Sequence, residues 1–138
     1  MSAPVRRIRA SELTDGPVTP GMQRRQAVAT ERMWAGLVHT EPGVFSAWHH
    51  HGEHESVIYV VTGGLRIESG IDGEDVFDAL PGDFVFVPPF SVHREGNTTE
   101  KVASIVVSRQ GRGEAAFNVD GPATAVSAGV PHEDLPAR

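Results

Sequence analysis

The sequence predicts an all-β fold, and three observations carry that prediction. The 138-residue chain spreads 15 glycines and 10 prolines along its whole length, separating short apolar runs in the way turns separate strands. Several of those runs are β-branched or alternate apolar with polar residues, as in Ser56-Val-Ile-Tyr-Val-Val-Thr62 and Leu65-Arg-Ile-Glu-Ser69. No stretch keeps a helical period for more than a turn or two.

Length and charge narrow the rest. A chain of 138 residues, 39% hydrophobic, builds one domain with a real core. Its net charge of −6 leaves no basic excess to neutralise phosphates, so nucleic acid is not the expected partner. The basic residues Arg6, Arg7 and Arg9 form too small a cluster to change that. Without cysteine there are no disulfides and no thiolate ligands. The N-terminus shows no apolar signal-peptide region. No apolar run approaches the ~20 residues that span a bilayer. The expectation is a cytoplasmic protein with no membrane partner.

Taken in order, Val5–Arg9 reads as an edge strand, and the Ser11–Gly16 stretch as a short helical turn capped by Ser11. Strands follow at 24–29 and 33–40, the second bearing Trp34. After the turn Glu41-Pro42-Gly43 comes a strand over 44–51, broken by Gly52. Residues 56–62 and 65–69 form a hairpin through Gly63-Gly64. Residues 75–80 continue, and 84–87 reads as a strand buried on both faces until Pro88-Pro89 stops it. His93 is expected in a loop and 101–108 in the last strand. Phe117 and Val119 are candidates to dock on the core, and the Ala/Gly/Pro-rich end is expected to be poorly ordered.

The chemistry concentrates in His49-His50-His51-Gly52-Glu53-His54-Glu55. Alternation along a strand points His49 and His51 the same way, about 6–7 Å apart, so both imidazoles can converge on one ion. Imidazole serves zinc, iron, nickel and copper alike. His50 and Glu53 face out or orient a ligand imidazole.

Two stretches resemble the paired motifs of the cupin superfamily. Gly43-x5-His49-x-His51-x4-Ser56-x6-Gly63 resembles the first, with Ser56 where that motif carries a ligand glutamate. Gly82-x5-Pro88-x-Phe90-x2-His93-x3-Asn97 resembles the second, with Phe90 where that motif has Gly. The resemblance implies a single antiparallel jelly-roll β-barrel with one divalent metal ion per chain, zinc favoured over iron, manganese or nickel, and a small-molecule substrate. It also implies a homodimer that uses residues 5–9. On that frame residues 1–30 are an N-terminal arm with edge strands, 31–110 the barrel core and 111–138 a C-terminal extension.

The implied ligands are His49, His51 and His93. Because a hydroxyl is a poor zinc or iron ligand, Ser56 leaves the fourth position to another group or to water. His54 shares strand parity with Ser56 and is favoured, whereas Glu55 needs a bulge to turn inward. Glu55 is also the candidate catalytic base. Trp34, Trp48, Tyr59, Phe84, Phe86 and Phe90 are candidate pocket walls.

The run Trp48–Glu55 also resembles small polyketide cyclases with an all-histidine zinc site. That implies Lewis-acid aldol cyclisation of a keto/enol or aromatic substrate. The alternatives are an Fe(II) dioxygenase, which a carboxylate ligand would favour, and a non-catalytic small-molecule sensor.

Overall fold

A computed structural model describes residues 2–124. A 3-10 turn, Ala10–Glu12, precedes eleven strands: β1 Thr14–Asp15, β2 Met22–Ala29, β3 Met33–Thr40, β4 His49–His50, β5 Glu55–Thr62, β6 Leu65–Ser69, β7 Asp75–Ala79, β8 Phe84–Val87, β9 His93–Gly96, β10 Ala103–Gln110 and β11 Phe117–Asn118. They form two antiparallel sheets, ordered β1-β2-β3-β10-β5-β8 and β11-β4-β9-β6-β7. This is the all-β jelly-roll architecture the turn spacing predicts. No helix among the described residues is long and apolar enough to cross a membrane.

The barrel interior follows from period-two alternation. On β5, Ser56, Ile58 and Val60 are buried while Val57, Tyr59 and Val61 face out. On β10, Ala103, Ile105 and Val107 point the same way inward. With Val85, Val87, Leu65, Ile67, Val38 and Met22 they make the apolar core. Each such side chain contributes about 1.5–3 kcal/mol when fully buried.

Several expectations are corrected. Residues 2–9 form no strand, and Val5 lies fully exposed. The turn at 10–12 starts from Arg9 with no side-chain cap, so Ser11 does not cap it. The strand expected over 44–51 shrinks to His49–His50 plus an isolated bridge from Phe45 to Gly96. Phe84–Val87 is not buried on both faces: β8 edges its sheet, so Val85 and Val87 are buried while Phe84 and Phe86 are 71% and 60% exposed. Phe117 does dock, as β11 beside β4. Of the C-terminal extension, residues 125–138 lie outside the described residues.

One motif residue is a clasp. Asn97, wholly buried, donates from Nδ2 to the carbonyls of Thr40 (3.0 Å) and Lys101 (2.7 Å), and its Oδ1 accepts from the Thr99 amide (2.9 Å). These bonds tie β3 and the approach to β10 to the end of β9, just below His93. Satisfying every polar atom is what makes a buried Asn tolerable.

Candidate metal centre

His49 and His93 face each other as register partners on β4 and β9. His51, two residues on, keeps His49's parity although the strand has ended. The ligand atoms of the three imidazoles lie within 4.8 Å of one another, so they could hold a metal ion. Each ring is held through its other nitrogen. Nδ1 lies 2.7 Å from the Ala47 carbonyl in His49, 2.6 Å from Ala115 in His51 and 2.9 Å from Ser91 in His93. A carbonyl only accepts, so each Nδ1 carries the proton and donates it. In His49 and His51, whose charged forms burial disfavours, the neutral ring therefore presents an Nε2 lone pair, the arrangement seen in histidine metal ligands, while His93 Nε2 faces the Glu95 carboxylate.

Glu95 stands beside two of the three histidines. On β9 it shares His93's parity, and Oε2 stands 3.2 Å from His93 Nε2 and 3.8 Å from His49 Nε2. That oxygen is buried, with His93 Nε2 as its near neighbour. Ligand atoms bonded to a common ion at ~2.0–2.2 Å sit roughly 3 Å apart, so the His93–Glu95 spacing suits two ligands of one ion.

The electrostatics agree. Burial pushes the Glu95 carboxyl up, but His93, His49 and His51 outweigh it and hold the pKa down at about 2. Burial, with Arg109 adding repulsion, drives His51 down to about 3. Burial also lowers His49. For His93 burial presses down, yet the adjacent Glu95 wins and holds it above its ordinary value. The set joins imidazoles to an ionised carboxylate, a donor chemistry shared by zinc, iron, manganese and nickel.

The other sequence-predicted residues lie elsewhere. His54 is buried but stays outside the three-histidine group; its Nε2 donates to the Gly113 carbonyl at 3.1 Å, and its ring packs on the Gly111 backbone. Glu55 is exposed on β5, on the face opposite Ser56. Tyr59, Phe84 and Phe86 project from the outer face of the sheet, Tyr59 and Phe84 with ring centroids 4.9 Å apart. Trp48 lies half-buried under the Arg94 guanidinium, 4.9 Å from its ring. Arg94 points away from the histidines and pairs with Glu68.

Phe90 adopts a left-handed backbone, φ 59°, the conformation that Gly in the motif takes without cost and Phe takes only under strain. Its amide donates to the Gly52 carbonyl at 2.8 Å. Among the candidate walls, Trp34 has its ring beside Arg109, and Phe90 has its ring 6.2 Å from that of His50, both neighbours being electrically coupled to the histidines.

Two residues of the site escape a motif reading. Glu95 needs His93 to lie on a strand, since His-x-Glu then shares one face; an expected loop hides this. Arg109 lies one residue past the expected end of β10, yet its parity with Ile105 and Val107 points it inward.

The fold and the paired motifs identify the class, and a family model described as "Cupin domain" matches residues 36–109. The chain belongs to the cupin family. A comparison with curated proteins gives no match. Among solved structures, KdgF from Halomonas sp. is 25% identical, with 76% of this chain and 93% of that one covered and a TM-score of 0.63. The polyketide cyclase RemF from Streptomyces resistomycificus is 18% identical over 84% and 86% of the two chains, at a TM-score of 0.71. Oxalate decarboxylase from Bacillus subtilis, described with Mn(II) centres, is 20% identical, covering 74% of this chain and 29% of that one, at 0.64. The likeness to the last two is one of fold.

Proposed function

We propose that this cupin is a mononuclear divalent-metal enzyme acting inside the barrel on a small keto/enol or aromatic substrate, by Lewis-acid chemistry of the polyketide cyclase-like, aldol type. The observation that carries this reading is the convergence of the three imidazoles of His49, His51 and His93, with the buried Glu95 carboxylate beside two of them. In this reading His49, His51, His93 and Glu95 hold the ion, and Glu95 takes the carboxylate role that Ser56 vacates. His54 and Glu55 are then neither ligands nor catalytic groups.

A bound divalent ion would polarise a substrate carbonyl and stabilise the enolate oxygen. The residues supply the rest. Backbone acceptors behind each Nδ1 keep the rings in the ligating tautomer without side-chain rearrangement. Desolvation keeps His49 and His51 neutral at neutral pH and ready to ligate.

A second reading, an Fe(II) dioxygenase, is favoured by the carboxylate among the histidines. Metal analysis of tag-free protein, with an oxygen-electrode trace after anaerobic Fe(II) loading, separates the two. One zinc per chain and no oxygen uptake supports Lewis-acid chemistry; substrate-dependent uptake with iron supports the dioxygenase. Metal at trace level would sink both.

The assembly in this reading is a homodimer. The exposed Tyr59, Phe84 and Phe86 form an apolar outer face, and such faces on β-sheets are commonly covered. The molar mass in solution tests this.

A further inference from the structure

The described residues leave four buried side-chain atoms without a hydrogen-bond partner: His54 Nδ1, Ser56 Oγ, Glu95 Oε2 and Arg109 Nε. Buried polar atoms are almost always paired, so unpaired ones ask for an explanation such as an absent ion or ligand. The reading above already uses Glu95. Of the other three, His54 is held through its Nε2 by Gly113, whereas Ser56 and Arg109 are neighbours: they pair across β5 and β10, both on the inner face.

Arg109 is an unusual residue to find there. Among the described residues it makes no side-chain hydrogen bond and no ion pair; its only close partner is the Trp34 ring, 6.0 Å from the guanidinium carbon. Trp34 is itself its register partner on β3 and is anchored by Nε1 to Gln26 at 2.9 Å. The guanidinium is thus oriented from one side and unpaired on the other. It repels His49, His51 and His93 and attracts Glu95, so it lies within electrostatic range of the metal centre.

The departure at Ser56 explains the missing partner. A glutamate at position 56 would stand beside Arg109 and could neutralise it. With serine there, the strand pair presents a guanidinium fork and a hydroxyl, donors with no acceptor. Glu95 offsets only part of the positive charge that Arg109 and a divalent ion bring together. A buried guanidinium Nε without an acceptor is costly, and an anion bound there would supply one. Arg32 and Arg112 line a depression of about 760 Å³ beside Gly111. That depression flanks the segment whose carbonyls hold His51 and His54, and its charge has the same sign.

We propose that Arg109 and Ser56 form an anion-binding subsite beside the metal, and that the substrate is a small keto acid whose carboxylate they hold. This rests on the metal-site reading and narrows its substrate class. The guanidinium donates a fork of hydrogen bonds to the carboxylate, the hydroxyl adds one, and the keto oxygen is left to face the histidine cluster.

The test is calorimetric binding of pyruvate and of its uncharged methyl ester to the metal-loaded protein, wild type, Arg109→Met and Ser56→Ala. The expected result is that wild type prefers the acid. Arg109→Met weakens acid binding about 10- to 100-fold while ester binding and metal content hold. Ser56→Ala removes an unpaired hydroxyl and keeps the fold intact even if Arg109→Met does not; it is expected to weaken the acid about 3- to 10-fold.

Unchanged acid binding in Ser56→Ala, or an acid preference that survives Arg109→Met, overturns the proposal. So does loss of metal from folded Arg109→Met, which would make Arg109 a support of the histidines. Wild type that holds no metal yet shows an acid preference abolished by Arg109→Met would sink the metal reading and leave the anion subsite standing.

Discussion

One rung of the β5–β10 ladder separates core from chemistry. Ile58 pairs with Val107, and Ser56 pairs with Arg109. Both rungs point into the barrel from the same two strands. The first is apolar on all sides; the second is polar, unpaired and within electrostatic range of three histidines and a carboxylate. The apolar rung stabilises the fold and the polar rung is a cost that the fold carries. The Ser56–Arg109 rung is held by two paired strands, whereas His51 stands just past the end of β4 and is held by the Ala115 carbonyl.

Breaking the histidine cluster gives the largest effect. His93→Ala or His51→Ala is expected to take metal content from one ion per chain to near none, read by elemental analysis, while the circular dichroism stays that of a β protein. A variant that keeps stoichiometric metal would remove that residue from the ligand set.

The apolar rung should fail differently. Ile58→Ala is expected to cost about 2–4 kcal/mol in urea unfolding while metal content is unchanged. Ser56→Ala, one rung away, should be nearly neutral in the same assay, since removing an unpaired hydroxyl can even stabilise.

Acid sharpens the contrast from the polar side. His51, with its pKa lowered to about 3, gains its proton in the unfolded chain near pH 6.5 but not in the folded one, so stability falls as pH drops below 6.5. His49 and His50 are lowered too, both first by burial, and add to the fall. His93, raised, contributes stability that is fully present below 6.5. Glu95, lowered, contributes stability that is present above its ordinary value of 4.5. Neither changes between pH 6.5 and 4.5. Metal-free protein should therefore lose on the order of 2 kcal/mol across that window. A flat urea midpoint would contradict the burial of neutral histidines.

Glu95→Gln keeps the shape and removes the charge. The expected result is metal affinity about tenfold weaker or more, read by chelator competition; unchanged affinity would exclude Glu95 as a ligand. The smallest effect belongs to the outer face: Glu55→Gln is expected to leave metal content and turnover as in wild type. Loss of either would bring Glu55 back to the site.

Much of this was legible early. Strands 33–40, 65–69 and 84–87 match their expected bounds, because turn residues punctuate them and turn chemistry is local. His49, His51 and His93 carry a motif spacing, and the structure brings them together. Tyr59, Phe84 and Phe86 could be read as pocket walls only while the facing of their strands was unknown. One parity step puts them outside. His54 carried the right parity too, yet it sits beside the turn after β4, where the ring finds the Gly113 carbonyl instead.

The sequence by itself determined the β fold, the turns and the three histidines, since each is written in neighbouring residues or in a fixed spacing. Only the tertiary structure decided that Glu95 lies beside His49 and His93 and that Arg109 stands unpaired opposite Ser56. Both depend on strand pairing between distant segments: which residues start a strand, which face it turns inward and what lies across the ladder. Those are long-range hydrogen-bond registers, and no local pattern encodes them.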